Sequence, residues 1–271
     1  MRQKILVIAL GGTIGSTRDD TIHPDENNLK ILDALPDMDT DYEAVSLFNI
    51  LSENMNREYL RKLFDCLNGV NFSDYNGVII LHGSDTLAYT AAFLGNAYGN
   101  EHIVLVASDK PIEAADSNGI KNFCDAVTHI KSDIPGVFIS YDGIKPALCT
   151  TSAGIDDKFD VLQHTLPPLN KKIISDRNIL IIQPYIDIDI NNYNFNNCDG
   201  VLFAMYHSAT VPDSIIKTAM MLKEKNKEYH FVTHKESADY ETASDLCNIL
   251  FSCTIENAYA RMVLTNENDV V

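Results

Sequence analysis

Three short polar clusters carry side chains that could do chemistry: Gly11-Gly12-Thr13, Ser52-Glu53-Asn54 and His82-Gly83-Ser84-Asp85-Thr86. Each follows an apolar run that reads as a strand. A threonine hydroxyl is a weak nucleophile until a base or an electrostatic network takes its proton. Flanking glycines let backbone N–H groups approach a developing oxyanion. Two other readings compete for "GGTIGS". A phosphate-binding loop requires GxxxxGK[ST], and no lysine follows Gly15; a dinucleotide fingerprint requires GxGxxG opening a helix, and Gly11, Gly12 and Gly15 are spaced otherwise. The next segment, "STRDDTIHPDENN", is polar and carries four carboxylates, which suits a mobile lid better than a phosphate cradle. A plain tight turn with an incidental threonine stays open at this point.

These clusters need a scaffold that gathers strand ends at one edge. Ile5–Leu10 reads as the first strand and Val45–Leu51 as the second. Between Asn56 and Asn68, Leu60, Leu63, Phe64 and Leu67 recur at helical spacing. Gly77–Gly83 reads as a strand ending in a glycine turn, Asp85–Gly99 as a helix stopped by Gly99, and His102–Ser108 as a strand. Asn118–Ile130 follows as an amphipathic helix and Gly136–Tyr141 as a strand. Strands apolar on both faces and separated by helices predict a doubly wound, mainly parallel α/β sheet. Ligands of such sheets sit beyond the carboxyl ends of the strands, where all three clusters fall. "QHTLPPLNKK" (Gln163–Lys172) breaks the pattern with two prolines. After it, Asn178–Tyr185, Gly200–His207 and Tyr229–His234 read as strands, with helices near Ser214–Lys225, Glu241–Phe251 and Ile255–Leu264. The expected organisation is an N-terminal α/β domain over 1–160, a linker over 161–176 and a smaller α/β domain over 177–271, ending in a frayed polar tail, "TNENDVV".

Composition narrows the function classes. The 271 residues suffice for one large domain or two modest ones, and the 45% hydrophobic and 22% charged shares are those of an ordinary globular protein. A formal net charge of −17 repels nucleic acid and anionic membrane, so neither is expected as a partner. Six scattered cysteines without a CxxC suit reduced thiols in a cytoplasmic protein better than a disulfide framework or a zinc site. The apolar run at Ile5–Leu10 is too short for a signal-peptide core or a membrane span.

With these residues in view, "GGTIG", "LHGSDTLAYTAA" and "GVFISYDG…CTTSAGIDD" resemble the bacterial-type L-asparaginases, most closely their cytoplasmic type I branch. "YHSATVP" and "CTIENAYARM" extend the resemblance, more weakly, into the second half. It implies an amidohydrolase that converts a side-chain amide to a carboxylate and ammonia without metal or organic cofactor. Thr13 matches the nucleophile that forms an acyl-enzyme, with Gly12 beside it. Ser84 matches a second hydroxyl that aids activation, and Asp85 the carboxylate that binds the substrate's α-ammonium. Ser52 and Glu53 match the pair holding the amino-acid backbone end, although the second is often glutamine in the family. A small amino acid or amide is the implied substrate, and a homo-oligomer, dimer or tetramer, the implied assembly. Simpler roles compete: Asp85-Thr86 as a helix cap, His82 as a packed strand-end residue, and Glu256 as a group at a helix start.

Two positions depart from the family pattern. Its lid tyrosine aligns with Ile22, followed by His23, which titrates near neutrality. Its lysine after a threonine pair aligns with Ser152, while Lys145 and Lys158 are out of register. His23 and Ser152 are therefore the candidate substitutes, against a plain loop histidine for the former. Each general acid–base contribution is worth roughly 10²–10⁴-fold in rate. Three readings follow: an amidohydrolase with a rewired proton path, a protein that binds an amino acid or amide without efficient turnover, and an amidase subunit within a larger assembly.

Overall fold

A computed structural model describes residues 2–241 and 246–265. Its larger sheet runs β4 (Thr40–Ile50), β1 (Gln3–Gly11), β5 (Gly77–Leu81), β6 (His102–Val106), β7 (Gly136–Ser140) and β8 (Ile144–Pro146). The first five are parallel and only β8 is antiparallel. Strand alternation sorts β1 into two cores. Leu6, Ile8 and Leu10 face one layer with α1 (Arg57–Asn68) and α2 (Leu87–Ala97), while Ile5, Val7 and Ala9 face the other with α3 (Gly119–Lys131). That two-sided burial is why the strand reads as a continuous apolar run.

The helices form where their patterns place them. Asn56 caps α1, its side-chain oxygen accepting from the Glu58 and Tyr59 N–H groups, and Leu60, Leu63, Phe64 and Leu67 are the buried stripe. All of α2 except Tyr89 is buried. Its outer face meets α5 (Ile255–Val263), where Phe93 packs edge-on against Tyr259 and the Asn96 amide donates to Asn257. The smaller sheet is fully parallel, in the order β10 (Ile179–Ile182), β11 (Gly200–Ala204), β12 (Glu228–Val232) and β13 (Ile249–Leu250), with α4 (Asp213–Glu224) against it. One hydrophobic core runs from Leu6 and Ile8 through α2 to Leu202, Ala204 and Val232 of this sheet. Residues 164–172 form no helix or strand. Beyond them β9 (Ile173–Ile174) pairs antiparallel with β14 (Leu264–Thr265).

Two elements differ from expectation. The second strand begins at Thr40, five residues before Val45. "TDYEA" is polar because β4 is a sheet edge with exposed side chains, so the apolar signal covers only its end. The helix expected near Glu241–Phe251 lies partly outside the described residues, as does most of the polar tail. Its described end is the strand β13, paired with Phe231 and Val232. Leu246, Ile249 and Leu250 have a spacing that serves a short buried strand as well as a helix turn. The left-handed Asn248 (φ 62°) interrupts any helix there. All six cysteines are free thiols. Among the described residues no helix is long and apolar enough to cross a membrane.

Candidate active site

Residues Gly11-Gly12-Thr13 leave β1 at its carboxyl end through a conformation that only glycine adopts easily. Gly11 has φ 106° and Gly12 φ 79°. Space is as restrictive as conformation. A Cβ on Gly11 would lie 2.3 Å from the Ile50 carbonyl oxygen, and one on Gly12 2.2 Å from the Gly83 nitrogen. The turn after β1 is thus wedged between the ends of β4 and β5. Thr13 opens a 3-10 turn, Thr13–Gly15, whose leading N–H groups lie outside the helical ladder. Its side chain is half-buried, and its hydroxyl has no hydrogen-bond partner among the described residues.

The second and third clusters join each other. Ser52 is buried, and its hydroxyl donates to the Asp85 carboxylate at 3.1 Å while lying 3.2 Å from the Asp85 N–H. Thr86 donates its hydroxyl to the Ser52 carbonyl at 2.8 Å. A Cβ on Gly83 would fall 2.5 Å from Ser52 Oγ, so the strand ends touch backbone to side chain. Thr86 is the N-cap residue of α2, but neither it nor Asp85 caps that helix with its side chain. Both are turned to Ser52 instead, which decides against the capping role. Ser84 and Glu53 sit beside this pair, the first half-buried and the second exposed.

His82 is buried and structural. Its Nδ1–H donates to the Gly83 carbonyl at 2.7 Å, so Nε2 is the acceptor for the Thr90 hydroxyl at 2.9 Å. Burial lowers its pKa to about 4, against the Gly83 bond and the Asp85 charge, which raise it. The unfolded chain takes up that proton near pH 6.5 and the folded one only near 4. The resulting stability is complete above about pH 6.5 and is lost as pH falls towards 4, on the order of 3 kcal/mol in all. His82→Gln is expected to flatten this acid limb in urea titrations at pH 7 and pH 4.5; an unchanged slope would assign the limb to other groups.

Comparison with known proteins fits this arrangement. A family model described as asparaginase, N-terminal, matches residues 4–149. The chain belongs to the asparaginase family. Among solved structures, L-asparaginase I of Vibrio cholerae superimposes with a TM-score of 0.78 at 19% identity, covering 97% of this chain and 92% of that one. A probable cytoplasmic L-asparaginase of Campylobacter jejuni gives 0.74 at 18%, covering 97% and 94%. At such identities the likeness is one of fold. A curated relative, a glutamyl-tRNA(Gln) amidotransferase component from Methanobrevibacter smithii, is 31% identical over 148 residues, 52% of this chain. The match spans 34% of that relative's own length.

The structure keeps the other residues expected from the sequence apart from the Ser52–Asp85 pair. The segment expected to be a lid is a hairpin of β2 (Ser16–Arg18) and β3 (Ile22–Pro24) with Ile22, His23 and Pro24 exposed. His23 bonds Asp19 through Nε2 at 3.2 Å and the Pro24 carbonyl through Nδ1 at 3.3 Å. Those two contacts raise its pKa, favouring the charged form over a free base. Ser152 bonds neither Thr13 nor Ser84 nor Asp85. Its N–H donates to the buried Glu256 carboxylate at 2.7 Å, and its hydroxyl is buried without a partner. Glu256 therefore ties the 150s loop to α5, whose cap is Thr254. Lys145 bonds the Tyr141 and Asp142 carbonyls, and Lys158 reaches Asp156 at 3.5 Å. Sequence reasoning missed Lys30, Ser16 and Asp25, whose hydrogen bonds brace the Gly12–Ser16 turn. Only a basic residue just past a carboxylate-rich lid could have pointed to them.

Proposed function

We propose that this chain is an asparaginase-like amidohydrolase that hydrolyses a side-chain amide, L-asparagine or a close relative, through Thr13. The observation that carries this reading is the close packing of Gly12, the neighbour of Thr13, on Gly83, which in turn lies against the Ser52 that bonds Asp85. Asp85 is the anionic end of a pocket for an α-ammonium, and the buried Ser52 fixes its orientation. An amino acid held there presents its side-chain amide toward Thr13. Attack by Thr13 Oγ1 on the amide carbon forms an acyl-enzyme and releases ammonia; attack by water then breaks the ester and frees the acid. N–H groups at the open end of the Thr13–Gly15 turn are the candidate oxyanion donors. Asp85→Asn is expected to raise KM by about 10–100-fold, the worth of a charge-assisted hydrogen bond, with a smaller effect on kcat. Steady-state titration checks this; an unchanged KM would move the ammonium site elsewhere.

A second reading, binding without efficient turnover, is favoured by the same structure. Neither Thr13 nor Ser84 has a base within hydrogen-bond reach among the described residues, and Ile22 and Ser152 bring none. Ammonia release over L- and D-asparagine, L-glutamine and small asparaginyl peptides separates the two. Turnover supports the first; calorimetric binding of L-aspartate with no turnover supports the second. The relative's name suggests a third role, as one component of a larger amidotransferase. The −17 charge, which repels RNA, weighs against it. A cytoplasmic homo-oligomer, dimer or tetramer, acting on a small molecule is the setting in which we place the enzyme.

A further inference from the structure

We propose that Lys30 is a positioning residue for Thr13, locking the nucleophile turn, the foot of the lid and the loop after β6 into one unit. The inference rests on the amidohydrolase reading above. Lysine has three ammonium donors, and Lys30 uses them on three separate stretches: the Ser16 carbonyl at 2.8 Å, the Asp25 carboxylate at 2.8 Å and the Glu113 carboxylate. Its side chain is 13% exposed and that of Asp25 26%, so solvent screens this pair less than a surface pair, while Glu113 is more open.

Each contact leads to the site. Ser16 donates its hydroxyl to the Gly12 carbonyl at 2.8 Å, and its N–H bonds the Thr13 carbonyl. From Lys30 to the nucleophile turn is therefore a single buried residue. Ser16 and Pro24 are paired at the base of the lid hairpin, and Lys30 grips just there, at residues 16 and 25. The Asp25 N–H reaches the Gly15 carbonyl at 3.2 Å, and the Asn49 amide fixes the Asp25 carbonyl to β4 at 2.6 Å. Glu113 belongs to the segment that follows β6, at the same sheet edge. One ammonium thus stands between two carboxylates. Without it, Asp25 and Glu113 face each other as like charges, and the lid foot and that segment are driven apart. None of the three acceptors touches Ser52 or Asp85, so the hold on the substrate's amino-acid end stays intact.

The test uses the full chain as wild type, Lys30→Met, Lys30→Arg and Lys30→Met/Glu113→Gln. Kinetics with L-asparagine are run well below each melting temperature, beside hydrogen exchange of peptides spanning 12–24. Misplacing a reacting group by about an ångström costs up to about 10²-fold. Lys30→Met is expected to lose at least about tenfold in kcat with KM changed less than about twofold. Lys30→Arg, which keeps charge and donors, and the double variant, which removes the repulsion, should each recover part of the loss. Exchange should rise over 12–16 and 17–24 together. A folded Lys30→Met with wild-type kcat, or faster exchange in the hairpin alone, overturns the inference. A wild type that releases no ammonia from any amide overturns the amidohydrolase reading instead; joint or separate exchange still decides the Lys30 coupling.

Discussion

Thr13→Ala is expected to lower ammonia release by at least about 10³-fold, the scale on which a covalent nucleophile contributes. Two quantities should stay put. The hydroxyl makes no hydrogen bond within the described structure, and the side chain is half-buried, so stability should change by no more than about 0.5 kcal/mol. Affinity for L-aspartate should hold within about threefold, about 0.7 kcal/mol, because Ser52 and Asp85 are untouched. Ammonia assays with the purified variant, a urea titration and calorimetry read all three. Wild-type turnover in the variant would exclude Thr13 as nucleophile and would point to a contaminant or to another hydroxyl. Ser84 is the first to examine. Turnover lost with binding retained would give Thr13 its role and show that a proton acceptor is recruited when substrate and lid come together.

Gly12→Ala is expected to remove binding and turnover together. The added Cβ would lie 2.2 Å from the Gly83 nitrogen and 2.3 Å from its α-carbon, both backbone atoms that no rotamer change can move aside. With φ 79° and ψ −179°, Gly12 lies in a region essentially reserved for glycine, which adds strain of about 1–3 kcal/mol for a residue with a side chain. Relief requires the β1 turn to lift off the β5 turn, carrying Thr13 with it. Stability should fall by more than about 2 kcal/mol and affinity for L-aspartate by at least about tenfold. Denaturant midpoints and calorimetry check these, with Gly143→Ala as a control. Gly143 also has positive φ, but nothing lies within 4 Å of a Cβ there. Equal losses in the two variants would mean that backbone strain, not the contact between turns, sets the effect. The two predictions are complementary: Thr13→Ala separates chemistry from binding, whereas Gly12→Ala removes the surface that joins them.

The amino-acid order alone determined a good deal. Ile5–Leu10, Gly77–Leu81 and His102–Val106 are apolar on both faces because their sheet is covered on both faces, and that burial is written directly as composition. Asn56 with the Leu60, Leu63, Phe64 and Leu67 stripe was legible as a capped helix for the same reason: cap and stripe are local. The three polar clusters could be placed at one edge because carboxyl ends of parallel strands must share it. Edge and ambiguous segments were not legible. Thr40–Ala44 is polar because an edge strand faces water, and Ile249–Leu250 becomes a strand only because Phe231 and Val232 lie beside it.

Within the site, tertiary structure decided between roles that residue types leave equal. Asp85 and Thr86 are good caps by type, yet both turn to Ser52, which lies 33 and 34 positions away in the chain. His82 could have been a base by type; full burial keeps it neutral instead, and a carbonyl and a hydroxyl occupy its two ring nitrogens. Lys30 carried no motif at all. Its importance comes from Ser16, Asp25 and Glu113, the last 83 positions away, converging on one ammonium. Periodicity and local caps can be read along a chain because they depend on neighbours in sequence. The partners of a hydroxyl, an imidazole or an ammonium depend on neighbours in space, and only the folded chain supplies them.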